Sequence, residues 1–426
     1  MSTALLPDQF TRENAPKLSP AVAKIIAETP VLDMHTHLYA PDFGDLLLYG
    51  VDELLTYHYL IAEVLRVAPI TPDAFYALSK REQADLIWRE LFLERSPISE
   101  ACRGVLTVFD KLGLDCTDLG AAREALDHRD PSEHIDAVFA AANIRSAIMT
   151  NDPFDDAERP VWEGGFAGDP RFQAALRIDP LLNDWPNAVK RLQGWGFEVD
   201  ADLGPKAKVE VRRFLSEWLT RMNARYMAVS LPPDFAYPEE SARATLIAEC
   251  VLPAAREAGV PFAMMIGVTR QVNPALRLAG DGVAKADIGA VNRLCGEFPD
   301  NKFLLTLLSR ENQHEACVSA RKFPNLLLFG CWWFLNNPSL IEEMTRMRME
   351  MLGFSMVPQH SDARVLEQVI YKWTHSRDII WRVLVDKYND IVHAGWVLDQ
   401  ATIRRDVERL LGRTFEEFCG GAAEND

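Results

Sequence analysis

The chain has no run of eighteen apolar residues, the length a helix needs to cross a bilayer. Its opening residues, MSTALLPDQFTREN, lack the basic stretch and apolar core of an export signal. Its seven cysteines (102, 116, 250, 295, 317, 331 and 419) are scattered and never spaced C-x-x-C. That disfavours a disulfide framework or a cysteine-rich zinc module and fits reduced thiols in a cytoplasmic protein. Basic residues are in deficit: 45 Lys and Arg face 62 Asp and Glu, a formal net charge of −17. With no basic stripe, neither nucleic acid nor a membrane is expected as a partner. There is no internal repeat and no low-complexity segment. Histidine is missing between His134 and His314.

What is present is a series of short apolar runs, each bounded by polar, Gly or Pro residues and followed by a helix-length amphipathic stretch. They are VLDMHTHL (31–38), IRSAIMTND (144–152), FQAALRID (172–179) and YMAVSLPP (226–233). PFAMMIG (261–267), KFLLTLLS (302–309), NLLLFGCWW (325–333) and FSMVPQHSD (354–362) follow. Runs apolar on both faces suit parallel strands covered by helices. Eight of them, alternating with helices, predict an α/β fold: a distorted (β/α)8 TIM barrel. Residues 1–40 hold the N-terminal segment and barrel strand 1. Residues 41–140 carry helical periodicity without strand signals and read as a helical insertion between strands 1 and 2 over one barrel end. Pro72, Pro97 and Pro131 punctuate it at helix starts and breaks. Residues 141–415 supply the rest of the barrel, with a looser insertion at 184–224, and 416–426 read as a disordered tail.

Chemistry in such barrels gathers at the C-terminal ends of the strands. Strand one ends in His35 and His37, which share one face because strand residues two apart point the same way. Strand eight, next to strand one in a closed barrel, ends in Asp362. Two imidazoles and one carboxylate with open positions form a catalytic divalent site, not a closed structural one. A lone buried histidine is more often a satisfied core residue; the H-x-H pair with Asp362 tips the reading to metal. No histidine is available on strand five, where Met264 and Met265 are poor ligands, so one ion is expected and the reaction need not be hydrolysis. Arg177, Arg270, Arg310 and Arg364 stand at or just past strand ends, suited to gripping a carboxylate bidentately. Of Trp332 and Trp333 only one can face inward. His360 shares its facing with Asp362 and is a candidate to support it. His314, His375 and His393 read as bystanders, and MTRMRMEML (344–352) as a covering helix.

DMHTHL at strand one, LLTYHYLIAEVLR soon after, MIGVTR at strand five, GCWWF at strand seven and SDAR at strand eight stand in the order found in uronate isomerases. Over residues 30 to 400 the chain resembles a divergent branch of that family, which belongs to the amidohydrolase superfamily. The resemblance implies a distorted barrel with an N-terminal helical insertion. It implies interconversion of D-glucuronate with D-fructuronate and of D-galacturonate with D-tagaturonate. It implies that His35, His37 and Asp362 bind one divalent ion, zinc, and that His58 and Tyr59 close over a hexuronate substrate. Arg177, Arg270 and Arg364 resemble the family's substrate-binding arginines, and Trp332 or Trp333 its active-site tryptophan. The chain departs from commoner members in having Met265 where they have histidine, and a strand-four aspartate has no clear counterpart beyond Asp234. A homo-oligomer is also implied.

Isomerisation moves hydrogen between C2 and C1 of the sugar, so a base, an acid and a way to hold an enediol are needed. Asp362, Tyr59 and His58 are the catalytic candidates; an internal hydride shift would need fewer proton carriers. Two other readings compete. A hydrolase of the same superfamily acting on a carboxylate-bearing substrate would reveal itself by two ions per chain. A non-catalytic sugar-acid binding protein would bind a uronate without forming product.

Overall fold

A computed structural model describes residues 7–127 and 129–420. Seven of the apolar runs form strands: β1 Val31–Thr36, β2 Ile144–Asn151, β3 Phe172–Arg177, β4 Met227–Leu231, β5 Phe262–Ile266, β6 Phe303–Leu307 and β7 Leu326–Leu328. All pair in parallel in sequence order, β1 on one edge and β7 on the other. Every residue of β1, β5, β6 and β7 is buried, as expected where side chains pack on both faces of a sheet.

The expected eighth strand does not form. The sheet is a curled seven-stranded parallel one, and residues 354–362 make only isolated bonds to its two edges. Val357 accepts from Gly330 N at 2.9 Å and donates to Leu328 O at 2.9 Å beside β7. Past the other edge, Asp362 N donates to His35 O at 3.2 Å and His37 N to Ala363 O at 2.8 Å. Between these points side chains replace the ladder. Pro358 has no N–H to give. The Gln359 side-chain Oε1 accepts from Cys331 N and His360 N, and the Asp33 carboxylate accepts from Ser361 N. Asp362 has φ +52, in the left-handed region that breaks an extended run.

Among the described residues, 41–142 contain helices and no strand. Local signals place several of them. Thr71 caps Pro72–Tyr76, Asp130 caps Pro131–Ala142, and Ser79 with Glu82 forms a capping box at Lys80–Trp88. Pro97 lies in a loop ahead of the Ser99 cap of Glu100–Leu112. The 184–224 insertion folds as helices Trp185–Gly194 and Pro205–Met222. The methionine-rich stretch lies in helix Pro338–Leu352. A 26-residue helix, Gln368–His393, packs against Leu18–Glu28, Glu100–Leu112, Pro131–Ala142 and Pro338–Leu352. It joins the insertion to the sheet's covering layer. The expected tail starts too early at 416: Thr414–Phe418 is helical and Phe415 is fully buried, while residues 421–426 lie outside the described residues. No helix among the described residues is long and apolar enough to cross a membrane.

Candidate metal centre

His35 sits on β1 at 1% exposure, His37 one step past its end, and Asp362 at the far end of the closing run. The two backbone bonds between these segments set the carboxylate against both rings. His35 Nε2 lies 3.6 Å and His37 Nε2 3.4 Å from Asp362 Oδ1. Among the described residues these three form the group of ligand-type side chains whose donor atoms lie within 4.8 Å of one another.

The protons on the two rings can be assigned from their neighbours. The Tyr226 hydroxyl donates to Met34 O at 2.8 Å, so it accepts from His35 Nδ1–H at 2.9 Å. The Thr150 hydroxyl donates to Thr36 O and accepts from His37 Nδ1–H at 3.1 Å. Each ring therefore presents a bare Nε2 to Asp362. Two lone pairs and a carboxylate oxygen, nearly removed from water, repel one another unless a cation lies between them. His35 Nε2 and Asp362 Oδ1 have no hydrogen-bond partner. The residues thus fit a divalent ion, and the hydroxyl-to-Nδ1 arrangement is the outer support that orients imidazole ligands. Burial drives His35 well below its ordinary range, with His360 and His37 beside it reinforcing this. Asp362 lies below its usual range: burial acts upward, and any proton taken up by His37, His35 or His360 is drawn to the carboxylate. Replacing Tyr226 by Phe removes the acceptor for His35 Nδ1–H without changing ring packing. The expected result is a metal affinity lowered roughly 10- to 100-fold, read by competition with a chelating indicator.

A small cavity opens against the cluster. It is walled by His35, His37, Thr150, Arg177, Asp179, Met265 and Trp332, with Ala228, Val229 and Ser230 from β4. Met265 thus occupies the strand-five place that the resemblance marked as a departure. Arg177 grips Asp179 through Nε at 2.9 Å and Nη2 at 3.0 Å. Arg364 donates to Leu46 O at 2.7 Å and lies 5.1 Å from the Tyr39 ring centre, binding the loop after β1. Arg270, on the hairpin Val268–Thr269 with Gly282–Val283, is exposed and pairs with Asp281 at 2.6 Å. Arg310 pairs with Glu343 on the surface. Neither Arg270 nor Arg310 walls the cluster cavity. Asp234 is exposed in the loop after β4.

His58 opens the helix His58–Val67, its ring 5.2 Å from Trp333 and 4.4 Å from Tyr59. Burial, opposed by Asp362, lowers its pKa to about 4, so it is neutral. Burial raises the Tyr59 phenol well above its usual value. The adjacent tryptophans diverge: Trp332 faces the cluster cavity, while Trp333, at φ +43, turns to His58 and a second cavity beside Tyr59. His360 packs 5.1 Å from His35, and its ring lies where a side chain on Gly330 would start, 1.7 Å from a Cβ built there. Only glycine fits at that position. Sequence reasoning passed over Tyr226 and Thr150, since nothing local marks a hydroxyl that meets a ring 191 or 113 residues away.

A curled parallel α/β sheet, with His35 and His37 at the end of one strand and Asp362 on the irregular run beside it, is an enzyme scaffold whose His–His–Asp group could hold a metal ion. No family model matches the chain, and none of the curated proteins does. Solved structures do. A uronate isomerase from Bacillus halodurans C-125 is 55% identical, with a TM-score of 0.95 over 96% of this chain and 97% of that one. A uronate isomerase from Thermotoga maritima (15% identity, TM-score 0.76, 97% and 99% covered) shares the fold. So does a glucuronate isomerase from Caulobacter crescentus (16%, 0.77, 98% and 97%). The chain belongs to the uronate isomerase family.

Proposed function

We propose that the protein interconverts D-glucuronate with D-fructuronate and D-galacturonate with D-tagaturonate, with His35, His37 and Asp362 holding one zinc ion. The observation that carries this reading is 55% identity to a uronate isomerase over nearly the full length of both chains. Two imidazole nitrogens and a carboxylate oxygen are three protein donors, the number that suits zinc in a catalytic role. When bound, the ion supplies Lewis-acid stabilisation of the charge that develops on the sugar's O1 and O2.

The chain's own residues divide the remaining work. Asp362 Oδ1 faces both imidazoles, which leaves Oδ2 to take the C2 proton and return it at C1 through an enediol. Tyr59, kept protonated, donates to a sugar oxygen, and neutral His58 accepts from one. Arg177 and Arg364 meet the substrate carboxylate by sharing guanidinium N–H groups now given to Asp179 and Leu46 O. Trp332 walls the site against water. In this reading residues 41–140 lie over the C-terminal end of a distorted (β/α)8 barrel whose eighth stave is the irregular run at 356–363. That run's bonds to both sheet edges support it.

The test is turnover of both hexuronates followed by NMR, together with elemental analysis. The expected result is ketose formation with one ion per chain, lost on chelation and restored by zinc. No product from either hexuronate, with the protein folded and zinc-loaded, overturns the reading. Two ions per chain would favour the hydrolase.

A further inference from the structure

Behind Tyr59 and Trp333 lies a second cavity of about 240 Å³, distinct from the one at the metal-ligand cluster. At about 30 Å³ per liquid water it holds about eight waters, the scale of one monosaccharide. Its walls mix aromatic rings (Tyr59, Trp333, Phe334, Tyr371) with Glu100, Asn336 and Lys372.

The polar groups of these walls are only partly paired: Glu100 Oε1 meets His375 Nδ1 at 2.8 Å and its Oε2 lies 3.8 Å from Arg103, while Asn336 Oδ1 accepts from Gln359 at 3.1 Å. Lys372, on the first turns of Gln368–His393, is 3% exposed. Its ammonium lies 5.2 Å from the Tyr59 ring centre and 5.1 Å from that of Tyr371. It makes no ion pair or side-chain hydrogen bond among the described residues. Burial, countered by Glu100 and Asp362, brings its pKa down to about 8. Three buried atoms on the same walls have no hydrogen-bond partner: Glu100 Oε2, Asn336 Nδ2 and the Trp333 indole Nε1. Leaving such groups unpaired is unfavourable, and a buried unpaired charge more so. A cation, two neutral donors and one acceptor between aromatic faces match one ligand class. That ligand carries a carboxylate for the ammonium, hydroxyls for the amide, indole and carboxylate, and C–H faces for the rings.

We propose that this cavity is a sugar-acid subsite separate from the His35–His37–Asp362 cluster, with Lys372 as the carboxylate's partner. The inference rests on the reading of the protein as a uronate isomerase and adds a place where a hexuronate is held beside Tyr59. The order of charges gives it selectivity: a neutral hexose offers the hydroxyls and lacks the anion.

The experiment is calorimetric titration of the Asp362→Asn protein in buffer with excess zinc, where turnover is blocked whatever its metal content, with D-glucuronate and with D-glucose. The titration is repeated with Lys372→Met and Lys372→Arg added. The expected result is at least a tenfold loss of D-glucuronate affinity with methionine, partial recovery with arginine, and D-glucose binding altered less than twofold. In the chain with Asp362 intact, Lys372→Met is expected to raise KM for D-glucuronate about tenfold, with most of the loss in KM and not in kcat. Unchanged D-glucuronate affinity with methionine overturns the proposal. So does equal weakening by arginine and methionine, which marks a packing role, or a fall confined to kcat. Turnover by the unsubstituted protein is read in the same series, so absence of isomerase activity is separable from absence of the subsite.

Discussion

Asp362→Asn is expected to lower kcat/KM for D-glucuronate by at least a thousandfold, about 4 kcal/mol at 1.36 kcal/mol per decade. The substitution removes one negative charge and leaves the shape. Asparagine tolerates the left-handed backbone that Asp362 adopts at φ +52, so the closing run keeps its bonds to His35 O and, through Ala363, to His37 N. What is lost is the only anionic donor of the cluster and the acceptor proposed for the C2 proton. Metal content measured by elemental analysis is expected to fall in parallel. The stability of the metal-free protein should move the other way. Without a cation, the carboxylate faces two bare Nε2 atoms at 3.4 and 3.6 Å, so its removal relieves repulsion. After chelation the asparagine variant should therefore melt no lower than the unsubstituted chain. Retention of more than a tenth of the activity, at full metal content, would sink the assignment of Asp362.

Glu367→Ala is expected to cost about 2–6 kcal/mol of stability, about 1–3 kcal/mol for each of two buried groups left without a hydrogen-bond partner. Glu367 and His134 are both fully buried, with Oε1 and Nε2 2.7 Å apart. The same Oε1 accepts Gly50 N at 2.7 Å. One carboxylate thus joins helix Pro131–Ala142, the loop before Val51–Leu55 and the start of Gln368–His393. Alanine strands the His134 ring and the Gly50 N–H and leaves a cavity at the seam between insertion and sheet. The measurement is the urea midpoint at constant slope. Glu367→Gln keeps an acceptor for Gly50 N and should lose less than half as much. The exposed Arg310–Glu343 pair makes the contrast, since its removal is worth about 0–1 kcal/mol. A loss below about 1 kcal/mol for Glu367→Ala would show that the seam is held elsewhere.

The parts that could be read in advance are those set by near neighbours. Seven runs such as FAMMI and FLLTL became strands because each buries both faces, and that demand is written in consecutive apolar residues. The closing run was misread as an eighth strand for the converse reason. Its His360 and Ser361 N–H groups go to the side chains of Gln359 and Asp33, and the latter lies 328 residues from Ser361. At the cluster, alternation predicted that His35 and His37 share a face, and the adjacency of the first and last barrel runs brought in Asp362. The arginines at the strand ends looked alike in sequence. Arg177 reached the cluster cavity, while Arg270 and Arg310 turned to Asp281 and Glu343 on exposed surfaces.

Lys372 shows the limit most clearly. On a helix it is one polar residue between Tyr371 and Trp373, and nothing nearby says that it is buried. Only packing against the insertion encloses it with Tyr59, Glu100 and Asn336. Period, apolar patterning and short-range spacing act over a few residues, so the strands, most helix starts and the histidine pair were determined by the chain's own order. Which hydroxyl orients which imidazole, which arginine finds a surface acid and which lysine goes unpaired were decided by the tertiary structure. These depend on distances between segments hundreds of residues apart, and only the folded packing sets them.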